Sequence, residues 1–308
     1  MQEIRYKDYT SVLRAQLQVR VQKISINAGF TCPNRDGKIG SGGCTYCNNQ
    51  TFNPDYCFPG KSVTEQLDEG THFFRKKYED QHYLAYFQAY TNTYAPQSHL
   101  EALYEEALRF PKVVGLVIGT RPDCINPSLL DYLEKLLQKF YVMVEYGVES
   151  TCDETLRFIN RGHSFADAQE AIKTTAQRGI HTAAHLILGL PHEDHSTLLH
   201  HAALLSELPL TAIKLHHLQL IKGTVMAKQY AEHPEEFNLF SVNEYIDLCI
   251  DFMEHLNPEI AIERFTSQSP PKLLIAPDWG LKNYEFVAKL QRRMKERDAK
   301  QGSKYVAK

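Results

Sequence analysis

The sequence predicts an α/β protein, an incomplete (β/α)6 TIM-like barrel followed by a C-terminal α/β extension. Six apolar, β-branched runs each give way to a helical pattern, which is the signature of strands feeding a parallel sheet. A loop carrying three cysteines directly follows the first of these runs, where barrel enzymes place their chemistry. The strand-helix rhythm then breaks shortly after residue 220. Six units fall short of a closed eight-unit barrel, and a doubly wound open sheet is the rival arrangement; in both, functional loops follow the C-terminal ends of the strands.

The elements run in order. KISINAGF (23–30) is the first strand, and after the cysteine loop a helix begins near Thr64, where Ser62 and Glu65 have capping-box spacing. YLAYFQAY (83–90) is the second strand, with a helix over 97–109, and VVGLVIGT (113–120) the third, with a helix over 127–139. YVMVEYGV (141–148) is the fourth, followed by the helical FADAQEAIKTTAQRG, whose Gly179 stands where a helix stops. HTAAHLILGL (181–190) is the fifth, with a helix over 196–207, and AIKLHHLQL (212–220) the sixth. Beyond these, 241–256 reads as helix, EIAIERF near 259 as one more strand, and 279–297 as a run into a last helix. The expected organisation is an N-terminal extension (1–22), the partial barrel (23–230) and a C-terminal extension (231–308) forming a separate layer or small subdomain.

Composition narrows the function classes. With 43% hydrophobic and 23% charged residues the chain can bury a core, which excludes wholesale disorder. Lys plus Arg number 34 against 37 Asp plus Glu, so any nucleic-acid role has to come from a local patch rather than a global field. No signal-like apolar stretch opens the sequence and no run approaches the roughly 18 apolar residues of a membrane span, so a cytoplasmic location is expected. Seven cysteines are present, three of them within 16 residues; Cys57, Cys124, Cys152 and Cys249 are scattered singly. In a reducing compartment such crowding points to metal rather than to disulfides.

The crowded segment is CPNRDGKIGSGGCTYC, with Cys32, Cys44 and Cys47. Cys44-x-x-Cys47 lets two sulfurs reach one metal centre, and Gly37, Gly40, Gly42 and Gly43 allow the turns that bring Cys32 back to them. Each iron of a cubane takes one ligand beyond its sulfides, so three cysteines leave one iron for a non-protein ligand, a position S-adenosylmethionine can chelate. Two other readings stay open at this point: a zinc site completed by a histidine such as His72, and a thioredoxin-like redox pair, which would not need the third cysteine upstream.

The segment, with its C-x11-C-x2-C spacing and Tyr46 before the last cysteine, resembles radical S-adenosylmethionine proteins related to the Elongator catalytic subunit. YLAYFQAYTNTYA, VIGTRPDCI, EYGVES, INRGHSFADA, HLILGLPHE and IKLHHLQLIKGT are similar to segments of a bacterial branch of that group without the acetyltransferase domain, and ERFTSQSPPKLLIAPDW extends the likeness more weakly. The eleven-residue spacing departs from the shorter loop of most radical enzymes. The resemblance implies a [4Fe-4S] cluster on the three cysteines, with S-adenosylmethionine as second cofactor. It implies reductive cleavage of that cofactor to a 5′-deoxyadenosyl radical, which abstracts hydrogen from a substrate; an RNA base, and hence tRNA, is one candidate, and a small molecule or peptide stays open. An external electron donor of flavodoxin or ferredoxin type is the implied partner.

The resemblance also assigns the cofactor's walls. Tyr46 lies in the cysteine loop, while Gln88, Tyr90 and Thr91 end the second strand, near the methionine end. Glu145 and Glu149 end the fourth strand near the ribose, and, four residues apart, they share sheet parity. Arg161 is placed for the cofactor carboxylate, and Gly189, with Pro191, for a close backbone approach to the adenine; Glu193 is read as a first-turn charge of the next helix. Thr120, Arg121 and Asp123 end the third strand, where Arg121 either orients an anionic substrate or pairs with Asp123. His181, His185, His216 and His217 fall on strands five and six, with Lys214 on the face of His216, and are expected mostly as hydrogen-bonded core residues. The Lys- and Arg-rich stretch 289–308 is a candidate RNA contact or a solvated tail. The reading from another class is a non-catalytic iron-sulfur or zinc scaffold or RNA adaptor.

Overall fold

A computed structural model of the chain describes residues 5–51, 53–75 and 81–307; residues 1–4 of the expected N-terminal extension and Lys308 of the basic tail lie outside them. Its strands are β1 (Val21–Ile26), β2 (His82–Phe87), β3 (Val113–Thr120), β4 (Tyr141–Glu149), β5 (His181–Leu188), β6 (Ala212–His217), β7 (Leu220–Ile221), β8 (Ala261–Arg264) and β9 (Leu274–Ala276). Its helices are α1 (Tyr9–Leu17), α2 (Val63–Arg75), α3 (Gln97–Arg109), α4 (Pro127–Leu136), α5 (Asp153–Phe158), α6 (Phe165–Ala176), α7 (His195–Ser206), α8 (Val225–Glu232), α9 (Val242–His255) and α10 (Asn283–Glu296).

Seven strands pair in the order β1-β2-β3-β4-β5-β6-β8, all parallel, and curl into a partial barrel. Parallel neighbours need a crossover, and the intervening helices provide it. The capping box expected at Ser62 is present: Glu65 N donates to Ser62 Oγ at 3.1 Å and Ser62 N to Glu65 Oε2 at 2.7 Å. A second box, Ser164 with Asp167, starts α6, and Gly179 closes its end with φ +74°.

Four strands end earlier than the apolar runs predict, β1, β2, β5 and β6, with β5 stopping at Leu188. β1 stops at Ile26, where Asn27 exchanges two bonds with the buried Gln66 amide, Asn27 N to Oε1 and Nε2 to Asn27 O, both 2.9 Å. β2 stops at Phe87, and Tyr90 turns with φ +61°. The sixth run ends its pairing in the main sheet at His217, and Leu220–Ile221 then joins β9 in an antiparallel ribbon. The strand expected near 259 does not belong to a separate layer: β8 lies beside β6, Ala212 opposite Ala261, so the C-terminal region supplies the seventh strand.

Two layers of side chains fill the barrel below its mouth. The lowest is apolar: Leu84, Val117, Met143, Ala183, Ala212 and Ala261 from the strands close on Tyr9 and Leu13 of α1, which plugs the bottom, and Tyr86 rises from it to the cavity. Next come Lys23, Glu145, Lys214 and Glu263, tied by ion pairs. Among the described residues no helix is long and apolar enough to cross a membrane.

Candidate active site

The strands end around a cavity of about 190 Å³, and Cys32, Cys44 and Cys47 all line it. Their loop is clasped by the segment INRGH, more than a hundred residues away in sequence. Asn34 Nδ2 donates to Asn160 O at 2.6 Å, Asn160 Nδ2 to Gly43 O at 2.9 Å, and Thr45 N to Ile159 O at 3.0 Å. Within the loop Arg35 Nη2 donates to Cys47 O at 2.9 Å. The Cys44 sulfur accepts from Arg161 Nη1 at 3.5 Å and from Asn34 Nδ2 at 3.7 Å. Burial and the neighbouring Cys44 push the Cys47 thiol up to about 11, so its ionisation calls for a cationic centre beside it.

This donor set fits a cluster. Three thiols surround one cavity and two N–H donors face a sulfur. Among the described residues no three His, Cys, Asp or Glu side chains converge as a single metal ion requires. His72, the histidine considered for zinc, is exposed on α2 and bonded through Nδ1 to Asp68 O at 2.8 Å; it is not part of the cavity wall.

Tyr46, Gln88, Tyr90, Thr91, Glu149 and Arg161 all line the same cavity. Gln88 Nε2 is fixed by Ser25 Oγ at 2.8 Å, and Thr91 is 1% exposed. Arg161 donates through Nη2 to Gly147 O at 2.7 Å and stands 3.7 Å from Glu149 Oε1. Burial raises the Tyr46 phenol well above its usual value, with Glu149 and Cys44 adding to it, so the ring is a neutral wall. Arg121 resolves toward pairing: Nε and Nη2 donate to the two oxygens of Asp123, at 2.9 and 2.8 Å, and Nη1 donates to Arg161 O at 2.8 Å, which carries the loop of β3 onto the INRGH segment.

Two expected wall residues are placed elsewhere. Glu145 is fully buried in the polar layer and does not line the cavity; its Oε1 pairs with Lys23 at 2.6 Å and its Oε2 with Lys214 at 2.6 Å and His185 at 2.8 Å. Burial alone would raise its carboxyl, but Lys214, Lys23 and His185 hold it well below the carboxylate range. Gly189 also lies off the cavity: it adopts φ +94° with its Cα against the Phe240 ring, so close that a Cβ would sit 3.0 Å from a ring carbon.

The histidines divide. His181 is at the far end of β5, stacked on Tyr141 at 4.7 Å and bonded to Gln16 at 2.8 Å. His185, His216 and His217 line the cavity, and His217 stacks on Trp279 at 4.0 Å. Glu193 is buried rather than an exposed first-turn charge, with Oε1 3.3 Å from His201. In the basic tail, Arg293 pairs with Asp247 at 2.9 Å and Lys304 with Glu254 at 2.6 Å, both acids of α9, which occupies charges that an RNA contact would use. Sequence reading passed over Asn34, Arg35, Asn160, Lys23, Glu263 and Arg264; the signal for the last three was charge interrupting apolar strands, KISI and AIERF.

Comparison with known proteins gives consistent matches. The model of the Radical SAM superfamily matches residues 30–205, and that of the Radical_SAM C-terminal domain residues 210–296. A Bacillus subtilis protein named as uncharacterised, YtqA, is 35% identical over 303 residues, 97% of this chain and 92% of its own length. A tRNA uridine(34) acetyltransferase of Dehalococcoides mccartyi is 24% identical over 175 residues, 56% of this chain but 36% of that protein. Among solved structures the archaeal Elp3 of Methanocaldococcus infernus shares the fold, with a TM-score of 0.69 at 15% identity over 92% of this chain and 64% of that one.

Proposed function

This chain belongs to the Radical SAM superfamily, whose cofactors are a [4Fe-4S] cluster and S-adenosylmethionine, and from that premise we propose that it is an enzyme abstracting hydrogen from a substrate held in the cavity at the barrel mouth. The observation that carries the proposal is the meeting of Cys32, Cys44, Cys47, Glu149 and Arg161 on one cavity wall. When bound, the two cofactors together supply a 5′-deoxyadenosyl radical by reductive cleavage of the C5′–S bond.

The chain's own residues would hold, orient and shield. Cys32, Cys44 and Cys47 would hold the cluster and leave one iron to the second cofactor. Arg161 steadies the Cys44 sulfur through Nη1 and, pinned to Gly147 O, sets the place of the Glu149 carboxylate. Glu149 can accept both ribose hydroxyls, while Gln88, Tyr90 and Thr91 offer amide and hydroxyl groups to the amino-acid end. The apolar layer sealed by α1 keeps water from entering through the bottom of the barrel, a requirement for so unselective an oxidant. The electron comes from an external donor, of flavodoxin or ferredoxin type in this reading. Similarity to a tRNA-modifying relative makes an RNA base the first substrate to test.

Anaerobic reconstitution tests the proposal. The expected result is a cluster absorption and, with dithionite and S-adenosylmethionine, formation of 5′-deoxyadenosine, both lost in Cys44→Ala. Absence of the absorption, or equal 5′-deoxyadenosine from Cys44→Ala, refutes it. Mass comparison of tRNA nucleosides from cells with and without the protein then tests the RNA base.

A further inference from the structure

The cavity has a second wall, opposite in the sheet order to the cysteine loop, built by the ends of β5, β6 and β8. β8 reaches it through a bulge. Ile262 lies opposite Ile213 and Arg264 opposite Lys214, so Glu263 is an extra residue in the register. An inserted residue re-aims its neighbours, and here it lets two consecutive side chains serve the barrel interior. Glu263 drops into the polar layer, pairing with Lys23 at 2.7 Å and Lys214 at 3.1 Å, while Arg264 lines the cavity.

Arg264 is half-buried, and its side chain makes no hydrogen bond or ion pair to any described residue. The charges beneath it are already balanced: Lys23 and Lys214 face Glu145 and Glu263. The groups beside it supply no counter-charge. His216 bonds through Nδ1 to Ser267 Oγ, and its Nε2 is buried without a partner. Burial depresses this imidazole, and Arg264, His185, Lys214 and His217 add to the effect, so it is neutral near pH 7. Ser269 Oγ donates to Gln219 Oε1 at 2.8 Å, leaving the Gln219 amide nitrogen as a further donor on the wall. A half-buried guanidinium with no counter-ion beside it attracts an anion, and an orphaned buried ring nitrogen needs a partner. One oxyanion group answers both.

We infer that the wall formed by Arg264, His216 and Gln219 is the subsite for an oxyanion of the substrate, a carboxylate or a phosphate, which anchors the molecule by its charged end and directs its body across the cavity toward the cysteines. The guanidinium takes two oxygens of the group, and His216 donates from Nε2 while the Ser267 hydroxyl donates to Nδ1. An adjoining cavity of about 400 Å³, walled by Trp279 and Phe286 and sharing His217, Gln219, Ser267 and Ser269 with the first, gives room for the rest of a larger substrate. This inference rests on the cavity being the substrate chamber.

Equilibrium dialysis of the anaerobically reconstituted full chain tests it, with labelled inorganic phosphate and labelled succinate as separate probes. Saturable one-site binding of at least one probe is expected, weakened ten-fold or more in Arg264→Gln and less in Arg264→Lys, which keeps the charge and guards against misfolding as the cause. Saturating S-adenosylmethionine should leave the bound probe in place. The preference between probes names the group as phosphate or carboxylate. The inference is overturned by absence of saturable binding of either probe, by unchanged affinity in Arg264→Gln, or by displacement with S-adenosylmethionine, which would give Arg264 to the cofactor's own carboxylate. Because this readout is binding without turnover, its failure is separable from a failure to form 5′-deoxyadenosine.

Discussion

Gly147 shows how finely the cofactor wall is fitted. A Cβ built there would lie 2.6 Å from Arg161 Nη2 and 2.6 Å from Glu149 Oε1, so the missing methyl is the space in which both side chains stand. Gly147→Ala is expected to displace the two tips while leaving the strand intact. S-adenosylmethionine affinity should fall about ten-fold, roughly 1.4 kcal/mol, by equilibrium dialysis with unchanged circular dichroism. An unaltered affinity would remove Glu149 and Arg161 from the cofactor wall. At this scale the sequence was partly legible. The cysteine spacing is local and announces itself, whereas the Arg161 contact to Cys44 joins residues 117 positions apart and has no sequence signal beyond the motif INRGH.

At the scale of elements, strand alternation gives the facing of a side chain but not its depth. Glu145 and Glu149 are four residues apart, nominally about 13 Å along a strand, and one lies in the polar layer while the other reaches the cavity rim. A bulge at Val148, where Gly147 faces His185 and Glu149 faces Leu186, and the φ of +69° at Glu149 finish the re-aiming. The C-terminal extension is joined to the barrel by stacked rings: His217 of β6 on Trp279 at 4.0 Å, and Trp279 on Phe286 of α10 at 5.9 Å. Trp279→Ala should therefore lower stability by roughly 2 kcal/mol, less than for a fully buried ring because Trp279 is half-buried. The segment 265–282, which carries β9, should become the first site of limited proteolysis. Cleavage at the same site and rate as in the parent chain would contradict this coupling.

For the whole molecule, the polar layer is the costly part of the design. Glu145, with Glu263, compensates charge from two lysines taken from β1 and β6, strands that the chain order places far apart. Glu145→Gln leaves those ammonium groups short of a partner and should cost about 3–5 kcal/mol in urea unfolding at pH 7. The pH dependence has a definite sign. The folded carboxyl is held below its unfolded value, so its contribution is complete above the unfolded value of about 4.3 and is lost as pH falls through the folded one. The gap between parent and Glu145→Gln should thus be widest near neutrality and close in acid. A gap that is constant with pH would assign the loss to packing alone.

The sequence by itself determined the succession of strands and helices, the parallel partial barrel and the three-cysteine loop at its mouth, because hydrophobic period, capping residues and ligand spacing are all written within a few residues of one another. Tertiary structure alone decided that a strand from the extension completes the sheet, that Glu145 is withdrawn beneath the cavity, and that Arg264 faces it without a counter-ion. Those outcomes depend on register shifts and on partners from distant strands, and neither alternation nor spacing carries that information.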